Sequence, residues 1–154
     1  MSEQSLKATV QRDLTAAMRE RDQVRAGTLR MALTAISTEE VSGKQARELT
    51  DDDVLGVLTS ESKKRREAAE AFDGAGRAEM AAKERSEAAV IADYLPEQLT
   101  AQEISDLVAS TIATLGVQDE GMRAMGKVMG AVQGQTKGRA DGGAVASEVR
   151  RQLG

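Results

Sequence analysis

The sequence predicts an all-α fold, and three features of its composition lead to that prediction. Phe72 and Tyr94 are the only aromatic residues, and Pro96 is the only proline. The apolar side chains are therefore mainly Ala, Leu, Val, Ile and Met, and no β-branched or aromatic run favours a strand. A chain of 154 residues is long enough for one ordinary domain or for two small helical ones.

Apolar side chains at helical spacing predict the first two helices. The stripe of the first helix consists of Leu6, Val10, Leu14 and Met18. Asp22 is a candidate N-cap for the second helix, which is predicted to extend to about Glu40. The apolar positions of this second helix are Val24, Leu29, Leu33 and Ile36. The polar segment 41–49 contains Gly43 and predicts a loop.

A capping residue and a proline delimit the next two helices. Thr50 precedes three aspartates and predicts the start of the third helix, because a capping hydroxyl and acidic side chains stabilise a helix N-terminus. The segment DGAG at 73–76 predicts the end of that helix. The fourth helix is predicted from about Arg77 to Leu95, because Pro96 prevents its continuation. Its predicted inward-facing residues are Met80, Ala88, Ile91 and Leu95.

The remaining chain predicts a compact subdomain of three short helices. TAQE at 100–103 is a capping box for the first of them, which Gly116 ends. The second is predicted to begin at Asp119 and the third at Asp141. The predicted inward-facing side chains are Ile104, Leu107, Val108, Ile112, Leu115, Met122, Met125, Val128, Met129, Val132, Val145, Val149 and Leu153. We therefore predict an N-terminal subdomain of four helices, residues 1–96, and a C-terminal three-helix subdomain, residues 97–154.

The composition excludes several classes of chemistry. The chain contains no Cys and no His, which excludes disulfides, thiolate nucleophiles, and metal sites built on either residue. We therefore predict no catalytic residues, no metal and no cofactor. The N-terminal segment is charged throughout, unlike a signal peptide, and no apolar run reaches the roughly 18 residues that a membrane span needs. We expect a cytoplasmic protein with no membrane partner.

The segment MGKVMGAVQGQTKGRADGG at 125–143 has a glycine at every fourth position from Gly126 to Gly142. Residues 121–140 also carry no acidic side chain, although the whole chain has a net charge of −4. The basic residues there are Arg123, Lys127, Lys137 and Arg139. Successive glycines four apart drift by about 40° around a helix, so Gly126, Gly130 and Gly134 share one side. Each interior glycine costs roughly 1 kcal/mol relative to alanine, which indicates that the missing side chains serve a purpose.

Three interpretations of this glycine segment differ in what approaches it. GMRAMGKV at 121–128 fits the start of a phosphate-binding loop, but Val128 replaces the required hydroxyl residue and no strand precedes it, so we reject that interpretation. Close packing of a neighbouring helix explains the first three glycines as well as the approach of a ligand does, and both interpretations remain open. Turn and capping geometry better explains Gly138, Gly142 and Gly143.

Two charged segments and one methionine pattern predict structure rather than chemistry. KKRR at 63–66 has acidic neighbours at helical spacing and predicts a solvated helix face with ion pairs. DDD at 51–53 predicts a helix start rather than a metal site, because no second cluster of ligands supports it. The methionines at 122, 125 and 129 predict core positions, although methionine-rich faces also serve adaptable interfaces.

Three segments of the chain carry a resemblance to a known family: RAGTLRMALTAISTEE at 25–40, the stretch 63–104 with its YLPEQL motif, and the stretch 125–153 that begins MGKVMG. Together they resemble the GatB/YqeY family of small bacterial proteins. The resemblance covers essentially the whole chain in order. It implies a multihelical protein with an N-terminal helical part and a C-terminal three-helix part.

The same resemblance implies kinship with the tail of the B subunit of the glutamine-dependent Asp-tRNA/Glu-tRNA amidotransferase. That tail is thought to approach the outer corner of tRNA, and its match falls on Met125 to Gly130, followed by the basic turn Lys137 to Gly142. The catalytic domain of the subunit and the amidase domain have no counterpart in this chain. Carbon–nitrogen ligase activity with glutamine as amido-N-donor therefore belongs to the larger enzyme.

We expect a non-catalytic helical module that binds structured RNA, above all tRNA, and not DNA. The expected RNA-binding residues are Arg123, Gly126, Lys127, Gly130, Lys137 and Arg139. Four positive charges support a modest and salt-sensitive affinity, and the scarcity of aromatic residues excludes base stacking. The alternative is an adaptor that docks a partner protein on the Met and Gly face of the C-terminal subdomain, and the negative net charge favours this alternative.

Overall fold

The computed structural model describes residues 5–154, and over that range its regular secondary structure is entirely helical. The prediction of an all-α fold is confirmed. The chain divides into two compact units, Met1–Leu95 and Pro96–Gly154, which we call unit 1 and unit 2. Within residues 5–154, no helix combines the length and the apolar character that crossing a bilayer requires.

Unit 1 contains four α-helices whose starts are fixed by side-chain caps or by a tight turn. They are α1 (Leu6–Arg19), α2 (Gln23–Glu40), α3 (Asp51–Gly74) and α4 (Ala78–Ala92). The Asp22 side chain accepts a hydrogen bond from the Arg25 backbone N–H at 3.0 Å, as its predicted N-cap role requires. Thr50 and Asp53 form a capping box at the start of α3. Gly76, with a φ of 73°, forms the tight turn before α4.

The core of unit 1 lies where α2, α3 and α4 meet. Its members are Ala32, Ile36, Val54, Leu58 and Ile91, with Leu6, Leu33, Leu49, Val57, Tyr94 and Leu95 packed against them. The Tyr94 hydroxyl donates a hydrogen bond of 2.6 Å to Asp13 Oδ2, which ties the segment after α4 to α1. Burial and this hydrogen bond raise the pKa of Tyr94 above its ordinary value.

One member of the charged run at 63–66 is buried, so the prediction of a wholly solvated face is wrong at that position. Arg65 is only 4% exposed. Its Nη1 donates to Glu61 Oε2 at 2.8 Å, and its Nε lies 3.4 Å from Glu87 Oε2 of α4. The contact was not foreseeable from α3 alone, because one of the two carboxylates belongs to a different helix. Lys63 and Lys64 do make the expected pairs along the helix.

Unit 2 contains three α-helices and one short 3₁₀ helix. They are α5 (Ala101–Leu115), the 3₁₀ helix Gly121–Ala124, α6 (Met125–Thr136) and α7 (Gly142–Leu153). Thr100 and Glu103 form the predicted capping box of α5, and Asp141 caps α7 as predicted. Asp119, however, does not begin a helix. Gly121 has a φ of 61°, a left-handed conformation that interrupts a right-handed helix, so α6 begins only at Met125.

Valines dominate the core of unit 2. Val108, Val117, Val128, Val132, Val145 and Val149 are each at most 1% exposed. Ile104, Ile112, Ala124 and Leu153 complete the core, and Met125 and Met129 pack against it from its edge. This core holds α5, α6 and α7 together and thereby fixes which side of α6 faces outward.

Five apolar side chains that were predicted to face inward are exposed instead. They are Met18, Val24, Met80, Leu115 and Met122, each between 41% and 55% exposed. All of them lie in the first or last turn of their helices or in the short 3₁₀ helix. The apolar spacing continues along the sequence into the terminal turns of each helix, but no neighbouring helix covers those turns. Helical periodicity alone therefore overestimates the buried face at helix ends.

Candidate functional site

The glycines of α6 form a bare and open side of the helix. Gly126, Gly130 and Gly134 are exposed, and a Cβ added to any of them would meet no atom within 4 Å outside the helix's own backbone and the adjacent residues. The buried residues of α6 are Val128, Val132 and Thr136. Each lies two positions after one of the glycines, about 200° around the helix, so the glycines point directly away from the core.

This geometry rules out one of the two interpretations that the sequence left open, namely close packing by a neighbouring helix of unit 2. No other helix of unit 2 packs on the glycines, so close packing within that unit does not explain them. We call the side of α6 formed by Gly126, Gly130 and Gly134 the glycine face. The segment 121–128, which matches the start of a phosphate-binding loop in sequence, is helical. Val128 is fully buried, and the segment does not form a loop that could wrap a phosphate.

A tight turn follows α6 and is fixed by backbone hydrogen bonds. The Thr136 carbonyl accepts from the Arg139 N–H at 2.9 Å and from the Ala140 N–H at 3.0 Å. Gly138 has a φ of 75°, a conformation that favours glycine. The Gln98 side chain donates to the Gly138 carbonyl at 2.9 Å, and the Leu99 N–H donates to the Arg139 carbonyl at 2.8 Å. The turn is therefore held against the segment that enters α5.

An open cleft of about 430 Å³ lies between the end of α6 and the start of α7. Gly130 and Lys137 are the two predicted site residues that line it. The other lining residues are Met129, Gln133, Thr136, Gly138, Ala140, Gly142 and Val145. The cleft thus begins on the glycine face and ends at the basic turn.

The four predicted basic residues differ in their availability. Lys127 and Lys137 are exposed and make no ion pair or side-chain hydrogen bond with any other residue of 5–154. Arg139 Nε donates to the Glu97 carbonyl at 3.1 Å, so this guanidinium is partly engaged inside unit 2. Arg123 Nε makes a long contact of 3.4 Å with the Glu120 carbonyl.

Arg139 also contributes to the electrostatics of the α5 N-terminus. The pKa of Glu103 is lowered mainly by the backbone and side-chain hydrogen bonds of Thr100 and to a lesser extent by the charge of Arg139. Arg139 therefore stabilises the turn and the α5 cap, a structural role that its position in a basic segment did not indicate. Lys127 and Lys137 are the two cations of the set whose side chains make no hydrogen bond within the described residues.

Sequence reasoning did not identify two polar residues near the cleft. Gln133 lines it, three positions after Gly130 on the same helix. Gln98 bonds the turn from a distant position in the chain. Helical spacing from the glycines could have identified Gln133, but no local pattern connects Gln98 to Gly138. Residues 5–154 contain no group of three or more acidic side chains arranged to hold a metal ion.

Comparison with known proteins assigns the chain to a protein family. The model of the family described as Yqey-like protein matches residues 7–153, nearly the full chain. An uncharacterized protein of Schizosaccharomyces pombe is 36% identical over 94 residues, which cover 60% of this chain and 74% of that protein. The family match includes both units and the whole glycine segment. The chain therefore belongs to the YqeY-like protein family.

Proposed function

We propose that unit 2 binds structured RNA, specifically tRNA, through the glycine face and the basic turn that follows it. The observation that carries this proposal is the open glycine face. Gly130, in the middle of α6, costs about 1 kcal/mol relative to alanine, Gly126 and Gly134 in its first and last turns cost less, and no other helix of unit 2 packs on any of them. A surface without side chains allows the backbone of another molecule to approach closely. The phosphate–sugar backbone of a nucleic acid is such a backbone, and its negative charges are attracted by nearby cations.

The charges beside the glycine face support a polyanionic ligand. Lys127 lies on α6 next to Gly126, and Lys137 lines the cleft in which the glycine face ends. Both ammonium groups are exposed, so they are available to neutralise phosphates. Unit 2 contains no aromatic residue, since Phe72 and Tyr94 both lie in unit 1. Recognition would therefore depend on backbone shape rather than on base stacking.

The resemblance to the tail of the amidotransferase B subunit supports tRNA as the RNA. In this proposal the chain supplies binding and no chemistry of its own. Arg139, whose guanidinium donates a hydrogen bond to the Glu97 backbone carbonyl, contributes mainly by holding the turn in place. Arg123 is expected to contribute less than the two lysines, because it lies one helical turn before Lys127 and already contacts Glu120.

A fluorescence titration of the full chain with bulk tRNA, and with duplex DNA as the control, tests the proposal. Binding to tRNA should weaken with salt, and Lys127→Glu with Lys137→Glu should abolish it at physiological salt. At low salt the slope of log K against log salt should fall by about one for each lysine. Arg66→Glu with Lys83→Glu provides a matched reversal on exposed positions of unit 1 and should leave binding unchanged.

A second pair of variants tests the glycine face separately from charge. Gly126→Ala with Gly130→Ala should raise stability, because the added methyl groups meet open space and alanine favours the helix. The same variant should weaken tRNA binding if a backbone approaches the face. Higher stability with unchanged tRNA binding would overturn the role of the glycine face, whereas absence of wild-type binding even at low salt would overturn the RNA proposal.

The adaptor hypothesis is the second candidate, and one observation favours it. Unit 2 exposes two large apolar side chains, Leu115 at 41% and Met122 at 49%. Exposed methionine suits adaptable contacts with a partner helix. In that case Met122→Ser should reduce capture of the partner, and the lysine reversals should not. The two candidates therefore predict opposite sensitivities.

A further inference from the structure

The turn between α1 and α2 contains an arginine in a conformation that favours glycine. Arg21 has a φ of 58°, and within residues 5–154 it is the one non-glycine residue with a positive φ. The Asp22 N–H donates to the Ala17 carbonyl at 3.0 Å, and the Arg21 N–H donates to the Met18 carbonyl at 3.2 Å. This pair of bonds is the Schellman motif, in which the left-handed position is usually glycine.

Arginine at this position is less favourable than glycine for folding. In the left-handed conformation the Cβ of a residue lies too close to the following carbonyl oxygen, a clash that glycine avoids. Strained backbone positions of this kind cluster at functional sites, where the side chain is needed. The surroundings of Arg21 indicate what its side chain could do.

Arg21 lies at the edge of a cleft of about 360 Å³ within unit 1, which we call the α1–α2 cleft. Arg30, on the second turn of α2, contributes a second guanidinium. Two buried alanines, Ala17 and Ala26, form the apolar floor, and Met18 lies beside them with 55% of its surface exposed. The α1–α2 cleft thus combines two cations with a small apolar surface.

The two arginines of this cleft differ from the arginine between them in sequence. Arg25 lies 4.0 Å from Asp13 and 3.7 Å from Asp93 in ion pairs. Arg21 and Arg30 make no ion pair or hydrogen bond through their side chains with any residue of 5–154. The carboxylate in the cleft is that of Asp22, and its Oδ1 accepts from the Arg25 backbone N–H. The guanidinium groups of Arg21 and Arg30 are therefore available to an external acceptor.

We propose that the α1–α2 cleft docks an acidic peptide segment of a partner protein. Its carboxylates would pair with Arg21 and Arg30, because the planar guanidinium matches a carboxylate in a bidentate geometry. An adjacent aliphatic side chain would cover Met18 and the two alanines, and the thioether adapts to its shape. The apolar surface of Ala17, Met18 and Ala26 lies beside the two arginines, and an aliphatic side chain of a peptide covers such a surface whereas a phosphate–sugar backbone does not, so the lining favours a peptide over a nucleic acid.

A polarisation titration of the full chain with a labelled peptide of Glu-Leu-Glu repeats tests this proposal. The control probe replaces every Glu by Gln. We expect saturable binding of the acidic probe that weakens with salt, and binding of the control that is at least tenfold weaker. Arg30→Gln should reduce affinity for the acidic probe severalfold. Arg66→Gln, an exposed arginine of α3 outside the cleft, should leave it unchanged.

Arg21→Gly separates binding from folding. Glycine suits the left-handed position, so this variant should unfold at a higher temperature than the wild type while it loses affinity for the acidic probe. A variant that is more stable and still binds the probe fully would overturn the role of Arg21. Equal affinity for the Glu and Gln probes, or equal loss in Arg66→Gln and Arg30→Gln, would overturn the proposal. A labelled single-stranded RNA that competes at lower concentration than the acidic peptide would also overturn it.

Discussion

Units 1 and 2 are both all-helical, but their interiors differ in chemistry. The fully buried positions of unit 2 are mostly valines, which contribute by apolar burial and close packing. Unit 1 buries Thr28, Ser62 and the charged Arg65 among its aliphatic residues, whereas the buried polar side chain of unit 2 is Thr136, which is uncharged. A valine core depends on shape and loses stability gradually, whereas a buried ion depends on its partners. The comparison shows that similar helical stripes in a sequence can produce interiors that fail in different ways.

The largest expected effect is on the ionic interior of unit 1. Arg65→Met should destabilise unit 1 by about 3 kcal/mol, because Glu61 and Glu87 would lose the cation between them in a region that excludes most water. Hydrogen exchange of the full chain would measure this separately for each unit. Protection of the α3 and α4 amides should fall, and protection of α5 to α7 should be retained.

A compensated variant sharpens this result. Arg65→Met combined with Glu61→Gln and Glu87→Gln removes the uncompensated charges along with the cation. It should recover a large part of the lost stability, because the cost arises from carboxylates left unpaired and not from the absence of the ion pair itself. If the triple variant were as unstable as the single one, Arg65 would contribute by packing, and the contrast between the two interiors would not hold.

The next effect belongs to the valine core of unit 2. Val149→Ala should destabilise unit 2 by about 2 kcal/mol, through the lost apolar burial and the cavity that remains. Val149 is fully buried, whereas Val41 of unit 1 is 64% exposed and provides a matched control. Val41→Ala should change stability little. Urea denaturation followed by hydrogen exchange would assign the loss to unit 2, and equal effects of the two substitutions would contradict the assigned core.

The contrast between the units also marks what the sequence could predict. Caps at Asp22, Thr50, Thr100 and Asp141 were correctly identified, because a cap is a local hydrogen bond with a local pattern. The burial of Arg65 could not be predicted in this way, because one of its two carboxylate partners, Glu87, belongs to another helix. A run of charged residues looks the same on a solvated face and around a buried ion until the second helix is in place.

The candidate site shows the same division between local and distant information. Helical spacing correctly placed the three α6 glycines on one side, but it could not say whether that side is covered. The engagement of Arg139 with the Glu97 carbonyl joins residues far apart in the chain, so the basic segment was read as uniformly available. Helical spacing therefore predicts which glycines share a side of α6, but it does not predict which side chains of the basic segment are engaged elsewhere in unit 2.

A smaller effect is expected at the polar tie between α1 and the segment after α4. Tyr94→Phe removes a hydrogen bond to Asp13 from a half-buried position and should cost about 1 kcal/mol. Because folding raises the pKa of Tyr94, its contribution is fully present below the unfolded value near 10 and is lost as pH rises further. Urea unfolding at pH 7 and above pH 10 should show the difference between wild type and variant shrinking. A difference that stays constant with pH would contradict this origin.

The smallest effect is expected on the surface of unit 2. Arg151, whose Nε lies 3.0 Å from Glu148 Oε2, and then Gln152 lower the pKa of Glu148 to about 2. Stability from this group is therefore present above the unfolded pKa near 4.3 and is lost as pH falls towards 2. Glu148→Gln should shift the acid-unfolding midpoint slightly upward, and high salt should reduce the shift because the Arg151 side chain is exposed to solvent.

Gln152 provides the control for the acid-unfolding measurement, because its side chain connects the Glu148–Arg151 ion pair to α5. Its Nε2 donates to Glu148 Oε1 at 2.8 Å and to the Ser105 carbonyl of α5 at 2.9 Å. Arg151→Gln should reproduce the Glu148→Gln shift with the same salt sensitivity, since each substitution removes one half of the ion pair. Gln152→Ala should instead retain part of its loss of stability at high salt, because it breaks a neutral bond to the Ser105 carbonyl of α5 as well as a bond to the Glu148 carboxylate. If all three variants responded equally to salt, the surface of unit 2 would be held by charge, as the buried centre of unit 1 is.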